Sequence, residues 1–165
     1  MSNMDSLATE FEHEAQTTRK HLSRLPEEQL DWRPHEKSFT AVGLGSHIVE
    51  CMGWAESIFK KDEIDFDPAT YKPYKAKSVA ELLKTFDDNV ATAKAAISGI
   101  NEATLELPWR LKIMGQTQFE KSKAAVFRDF VLSHVIHHRG QLSDYLRLLN
   151  VPVPGSYGPS ADEQR

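Results

Sequence analysis

The chain has 165 residues, 40% hydrophobic and 27% charged, with a formal charge of −4 and one cysteine, Cys51. That is the profile of one globular domain with enough length to bury a sizeable core. It excludes an internal disulfide, a cysteine-rich zinc site and the basic footprint that a nucleic-acid backbone demands. No apolar stretch reaches the roughly 18 residues that span a bilayer, and Met1–Glu10 lacks the basic-then-apolar pattern of a signal peptide. A cytoplasmic protein with neither membrane nor nucleic-acid partners is expected.

Four segments carry the helical period. The first runs from about Asn3 to Leu25, with Leu7, Phe11, Thr18, Leu22 and Leu25 on one side. The second, about Thr40 to Lys60, places Leu44, Ile48, Met52, Ala55 and Phe59 together. The third, about Val79 to Ile100, is the most regular: it opens on a capping box, Ser78-Val-Ala-Glu81, and stops near Gly99. The fourth, about Lys123 to Leu149, repeats Phe127, Phe130, Val131, Val135, Leu142, Tyr145, Leu146 and Leu149 before Pro152.

The links at 61–77 and 101–121 exceed the roughly 12–15 residues usual for structureless loops, so each is expected to hold some order. The stretch Leu107–Phe119 reads as a small hairpin turning at Gly115. Links of this length also permit a crossover in place of a strict up-down topology. The fold class is all-α, a four-helix bundle with long connections forming a single domain over 1–165. Residues 151–165 are its C-terminal tail.

The chemistry concentrates at His134-Val-Ile-His137-His138-Arg139-Gly140-Gln141-Leu142 on the fourth helix. His134 and His138 lie one turn apart on one face. On a helical wheel centred on His134, Phe127, Tyr145 and His138 fall closest, and Val131, Leu149 and Leu142 follow on the same side, which marks the inward stripe. His137 sits at the edge of that stripe, on the side away from His138, and Arg139 points outward, towards a structural contact or the dimer surface and not the metal. On the second helix His47 lines up with Cys51, Trp54 and Ile58, again on an inward face. Any one of these histidines reads most simply as a hydrogen-bonded core residue. Three on inward faces read differently: each imidazole left without a partner costs about 1–3 kcal/mol, and one metal ion satisfies all three. Three neutral imidazoles with an open position are the donor set of a catalytic site. His13 and His21 read as surface or edge residues of the first helix, His35 as a loop residue, and Cys51 as a small buried hydrophobe, with a thiolate ligand as the minority alternative.

The His-x-x-x-His-Arg-Gly-Gln-Leu run at 134–142, the upstream His47, the Trp32-Arg33-Pro34 turn and the tail from Leu148 through Tyr157 to Glu163 together resemble the DinB/YfiT-like metalloenzyme family. The resemblance spans nearly the whole chain. It implies a four-helix bundle, a divalent metal on His47, His134 and His138, and a homodimer. It also implies relatives that act as thiol-dependent transferases and isomerases with bacillithiol, mycothiol or glutathione.

Such an ion, zinc, nickel or similar, either makes a hydroxide nucleophile from water or holds a substrate thiol as thiolate. The wheel turns Asp129 and Asp144 away from the site, so only Glu50 is within reach as a base; it serves equally well to orient an imidazole, as does Gln141. This scarcity of acid–base groups favours transfer of a low-molecular-weight thiol to an electrophilic small molecule over hydrolysis. A bundle that binds metal or a small ligand without turnover is the rival. The three prolines at 152–159 limit the entropic cost of ordering the tail. Tyr157 is therefore a candidate substrate contact, while Ser160–Arg165 reads as frayed.

Overall fold

The computed structural model describes residues 3–163. Helices α1 (Asn3–Leu22), α2 (Ala41–Lys60), α3 (Val79–Ser98) and the short α4 (Glu102–Glu106) are followed by a continuous helical run of α5 (Lys123–Phe127), a π-helical turn at Arg128–Ser133 and α6 (His134–Leu148). The four long segments fall where the hydrophobic period places them, and their ends follow local chemistry. The Thr40 hydroxyl accepts from Gly43 N–H to open α2, and the Ser78 hydroxyl accepts from Glu81 N–H to open α3. The Glu81 carboxylate reaches back to Lys77 N–H, one residue beyond the Ser78 amide that a reciprocal capping box would use. The first helix stops three residues before Leu25: Arg24 and Leu25 bond back only to His21 and Leu22, a tightening turn ahead of Pro26.

The pattern of packing is diagonal. α1 rests on α3 and α6, and α2 rests on the same two, so the first and second helices face each other across the bundle. Long connections make this order possible. At Gly45 α2 comes close to its neighbours, since a Cβ there would meet Leu82 Cδ2 at 2.9 Å and Leu25 Cδ1 at 3.2 Å. Lys123, almost wholly buried, donates to the Lys61 carbonyl at 2.8 Å and pairs with Asp62. It thereby caps the C-terminal end of α2 and ties it to the start of α5.

The all-α expectation requires correction. A three-stranded sheet in the order β1-β2-β3 joins the helices, formed by β1 (Glu63–Phe66), β2 (Pro108–Ile113) and β3 (Gln116–Ser122). β2 and β3 form the hairpin expected at 107–119, turning through Met114 (φ 49°) and Gly115 (φ 79°), both left-handed as a tight two-residue hairpin turn requires. β1 runs parallel to β2, with Ile64 opposite Leu111. Four residues are too few for alternation to register in the sequence, and a parallel partner 47 positions away leaves no local signal. The sheet docks on the bundle through aromatic rings: Trp109 and Phe119 meet Trp54 of α2 and Phe130 of the π turn at 5.5–6.5 Å between centroids. Among the described residues no helix is long and apolar enough to cross a membrane.

Two further readings change. Arg139 is not outward-facing but 2% exposed, with Nη1 donating to Glu14 Oε2 at 2.6 Å and to Thr18 Oγ1 at 3.2 Å. α6 has neighbours on two sides, α2 and α1, so its buried arc extends well past the stripe marked by the histidines. His21 likewise is fully buried rather than at an edge, its Nδ1 against the Thr17 carbonyl and Pro154 of the tail beside it. The tail itself is held as far as Glu163. Asp162 pairs with Arg147 and accepts from Val153 N–H, and Glu163 accepts from Gly155 N–H and Ser160 N–H. Residues 160–163 are therefore tied down, contrary to the frayed reading; Gln164 and Arg165 lie outside the described residues.

Removing one partner of a buried ion pair strands the other. Arg139→Ala should therefore cost about 3–5 kcal/mol in urea unfolding followed by circular dichroism, whereas Arg139→Met combined with Glu14→Gln should recover most of that loss. Tyr157→Phe, which removes one hydroxyl from the same network, should cost about 1 kcal/mol.

Candidate metal centre

The site lies between α2 and α6. Each helix contributes two donor residues one turn apart: His47 and Cys51 from α2, His134 and His138 from α6. The three imidazoles form a triangle with centroids 4.7 Å (His47–His138), 4.8 Å (His134–His138) and 5.1 Å (His47–His134) apart. His47 Nε2 and His134 Nε2 approach to 3.3 Å, and Cys51 Sγ lies 3.9 Å from His47 Nε2. Donor atoms of His47, Cys51 and His134 all fall within 4.8 Å of one another. The structure thus brings the rings of the three sequence-selected histidines into contact, but the cluster of donor atoms joins His47 and His134 to Cys51, which the sequence reading placed among the hydrophobes, and does not include His138.

Each ring is steered from its other edge. His138 Nδ1 donates to Gln141 Oε1 at 2.7 Å, one turn along α6. Glu50 Oε2 stands 3.7 Å from His47 Nδ1. For His134 the partner is the Phe130 carbonyl. At this end of the π turn the His134 backbone N–H bonds to Val131 and not to Phe130, the partner a regular α-helix would give it. Wide turns of this kind recur at functional sites because they re-aim a side chain without ending the helix. For His138 the acceptor at Nδ1 fixes the tautomer and leaves the lone pair on Nε2.

Burial governs the electrostatics. Desolvation, followed by the neighbouring imidazoles, holds His138 down from an ordinary 6.5 to about 4. The same causes lower His134. Burial pushes the Cys51 thiol up to about 12. Both histidines are therefore neutral and able to donate a lone pair near pH 7.

A cavity of about 440 Å³ opens beside His47, walled by Phe39, Tyr71, Pro73 and Tyr74, with Glu50 inside and Lys75 at its edge. Phe39 stacks on His47 at 5.5 Å and meets His138 edge-on. Its carbonyl is held by Tyr145 OH from α6, and Tyr145 in turn carries Trp32. Glu50 Oε1 accepts from Tyr71 OH at 2.8 Å and from Tyr74 N–H at 2.7 Å, which fastens the 61–77 link over α2. Phe39, Tyr71 and Tyr74 escaped the sequence reading because loop aromatics have no period to place them. For Tyr71 and Tyr74 the one signal was the density of aromatic and proline residues at 66–74. Tyr157 stands elsewhere: its hydroxyl accepts from Arg139 Nη2 and donates to Glu14, its ring stacks on His13, and it is not among the residues lining the cavity.

A mostly helical bundle with a small sheet and a cluster of imidazoles between its second and last long helices defines a recognisable class. The chain belongs to the DinB superfamily, whose model matches residues 10–142. Among curated proteins it is similar to the uncharacterized protein YrdA of Bacillus subtilis (strain 168), 26% identical over 164 residues and covering 97% of this chain and 91% of that one. Two crystal structures share the fold. A DinB-like protein from Bacillus cereus ATCC 10987 superposes with a TM-score of 0.70 at 20% identity, covering 88% of this chain and 92% of its own. The DinB-like protein YjoA from Bacillus subtilis gives 0.71 at 18% identity, covering 97% and 99%.

Lowered histidine values link the site to stability. The folded protein binds fewer protons at His134 and His138 than the unfolded chain does, so the full contribution is present above about pH 6.5 and is lost as pH falls towards 4. The urea midpoint of the metal-free protein should decline across that window, and His138→Leu should make the decline shallower.

Proposed function

We propose that the protein is a metal-dependent enzyme that holds one divalent ion on His47, His134 and His138 and uses it to transfer a low-molecular-weight thiol to an electrophilic small molecule. The observation that carries the reading is the 3.3 Å approach of His47 Nε2 to His134 Nε2, with Glu50 facing the other edge of His47 and the Phe130 carbonyl bonded to His134. Two imidazoles on one tetrahedral zinc-sized ion, each bonded at about 2.0–2.1 Å, stand about 3.3 Å apart. The His47–His134 spacing therefore suits two ligands of one divalent ion, and the His138 ring, packed against both, stands beside them. Such an ion supplies one piece of chemistry here, stabilising a bound thiol as the reactive thiolate.

The chain's own residues supply the rest. Gln141, Glu50 and the Phe130 carbonyl orient the imidazoles, and Phe39 covers two of the rings and shields them from water. The aromatic wall of Phe39, Tyr71 and Tyr74 suits an apolar electrophile. Thiol transfer is favoured over hydrolysis because Glu50, the one carboxylate lining the cavity among the described residues, is committed to Tyr71 and Tyr74. A general base for water would need that carboxylate free.

Elemental analysis should find one divalent ion per chain in the wild type, while His47→Ala, His134→Ala and His138→Ala should stay helical and lose it. Gln141→Ala should weaken metal affinity about 10–100-fold. Incubation with glutathione or bacillithiol and a chlorodinitrobenzene electrophile should give conjugate that disappears on chelation and returns with metal. A metal-loaded protein that cleaves esters and conjugates no thiol would establish the hydrolase instead.

A further inference from the structure

The donor cluster contains one group that the three-histidine site does not use. Cys51 is 1% exposed and sits one turn beyond His47, on the face of α2 that looks at α6. Its sulfur lies 3.9 Å from His47 Nε2 and within 4.8 Å of the His134 donor atom. A nitrogen at about 2.05 Å and a sulfur at about 2.3 Å from one ion stand about 3.5 Å apart at the tetrahedral angle, and about 3.9 Å when that angle opens by about 20°. The observed separation is therefore already a ligand–ligand distance. The two helices present two pairs, His47 with Cys51 and His134 with His138; the donor atoms of His47, Cys51 and His134 cluster, and the His138 ring packs against both other imidazoles.

We propose that Cys51 is the fourth ligand of the resting site, giving three imidazoles and one thiolate. The proposal rests on the three-histidine reading above and adds what fills its remaining position before substrate arrives. A bound ion would be held by the Cys51 sulfur as thiolate, its proton released to solvent. A thiol R–SH replacing that sulfur would pass its proton to it, so that one S–H bond would break and one form with no external base consumed. Such an exchange would need no free base, in keeping with a cavity whose one lining carboxylate among the described residues, Glu50, is tied to Tyr71 and Tyr74.

The metal-free protein should be loaded with Co(II) alone and read by absorption and elemental analysis. Wild type should take one ion per chain and show a near-ultraviolet sulfur-to-cobalt charge-transfer band. Cys51→Ser and Cys51→Ala should each keep the ion, held by the histidines, and lose the band. Adding 2-mercaptoethanol to the Co(II)-loaded Cys51→Ser protein should restore it. A wild type that binds one Co(II) without the band overturns the Cys51 assignment and leaves the three-histidine site standing. Wild type that takes up no ion overturns both.

Discussion

The rotation of α6 about its own axis is the constraint on which the rest depends. One face of that helix must turn His134 and His138 towards α2, while the flank about 100° away from His138 carries Arg139 towards α1. The Arg139–Glu14 pair, with side chains 2% and 7% exposed, fixes that rotation because a buried guanidinium has nowhere else to find a carboxylate. Tyr157 closes the network from the tail, so the segment that follows α6 also holds it in phase. A slip of one residue would expose the arginine's charge to the core and carry both imidazoles out of reach of α2.

With the rotation fixed, burial does two jobs at once. It stabilises the bundle through the apolar faces, and it keeps His134 and His138 neutral by penalising their charged forms. Orientation is added by short-range partners, each within one turn of its ring: Gln141 for His138, Glu50 for His47, the Phe130 carbonyl for His134. The π turn is essential to the last of these, since a regular helix would commit that carbonyl to the His134 backbone amide.

Glu50 connects this centre to its surroundings. It faces His47 on one side and anchors Tyr71 and Tyr74 on the other, and a second cavity of about 370 Å³ shares Glu50 and Tyr71 as its wall. The small sheet bounds that second space through Ile64 and Phe66. The strands thus serve the site indirectly: they pin the 61–77 link whose aromatics shape the entrance, and their own aromatics lock onto Trp54 of the same helix that carries His47 and Cys51.

Much of this was legible in the residues alone. Period 3.6 placed four long helices to within a few residues, the Ser78 and Thr40 caps marked two starts, and the i,i+4 spacing of His134 and His138 with the inward phase of His47 selected the histidines that the fold brings together. These are local properties, written in spacings of a few residues. What the sequence could not show arises from contacts far apart in the chain. β1 exists because β2 lies beside it, Arg139 is buried because α1 covers a second flank of α6, and His21 is buried because the tail returns over it. Cys51 looked like filler until α6 set His134 near its sulfur. A helical wheel knows one buried direction, whereas a helix between two neighbours has two. That second direction is decided only when the chain is folded.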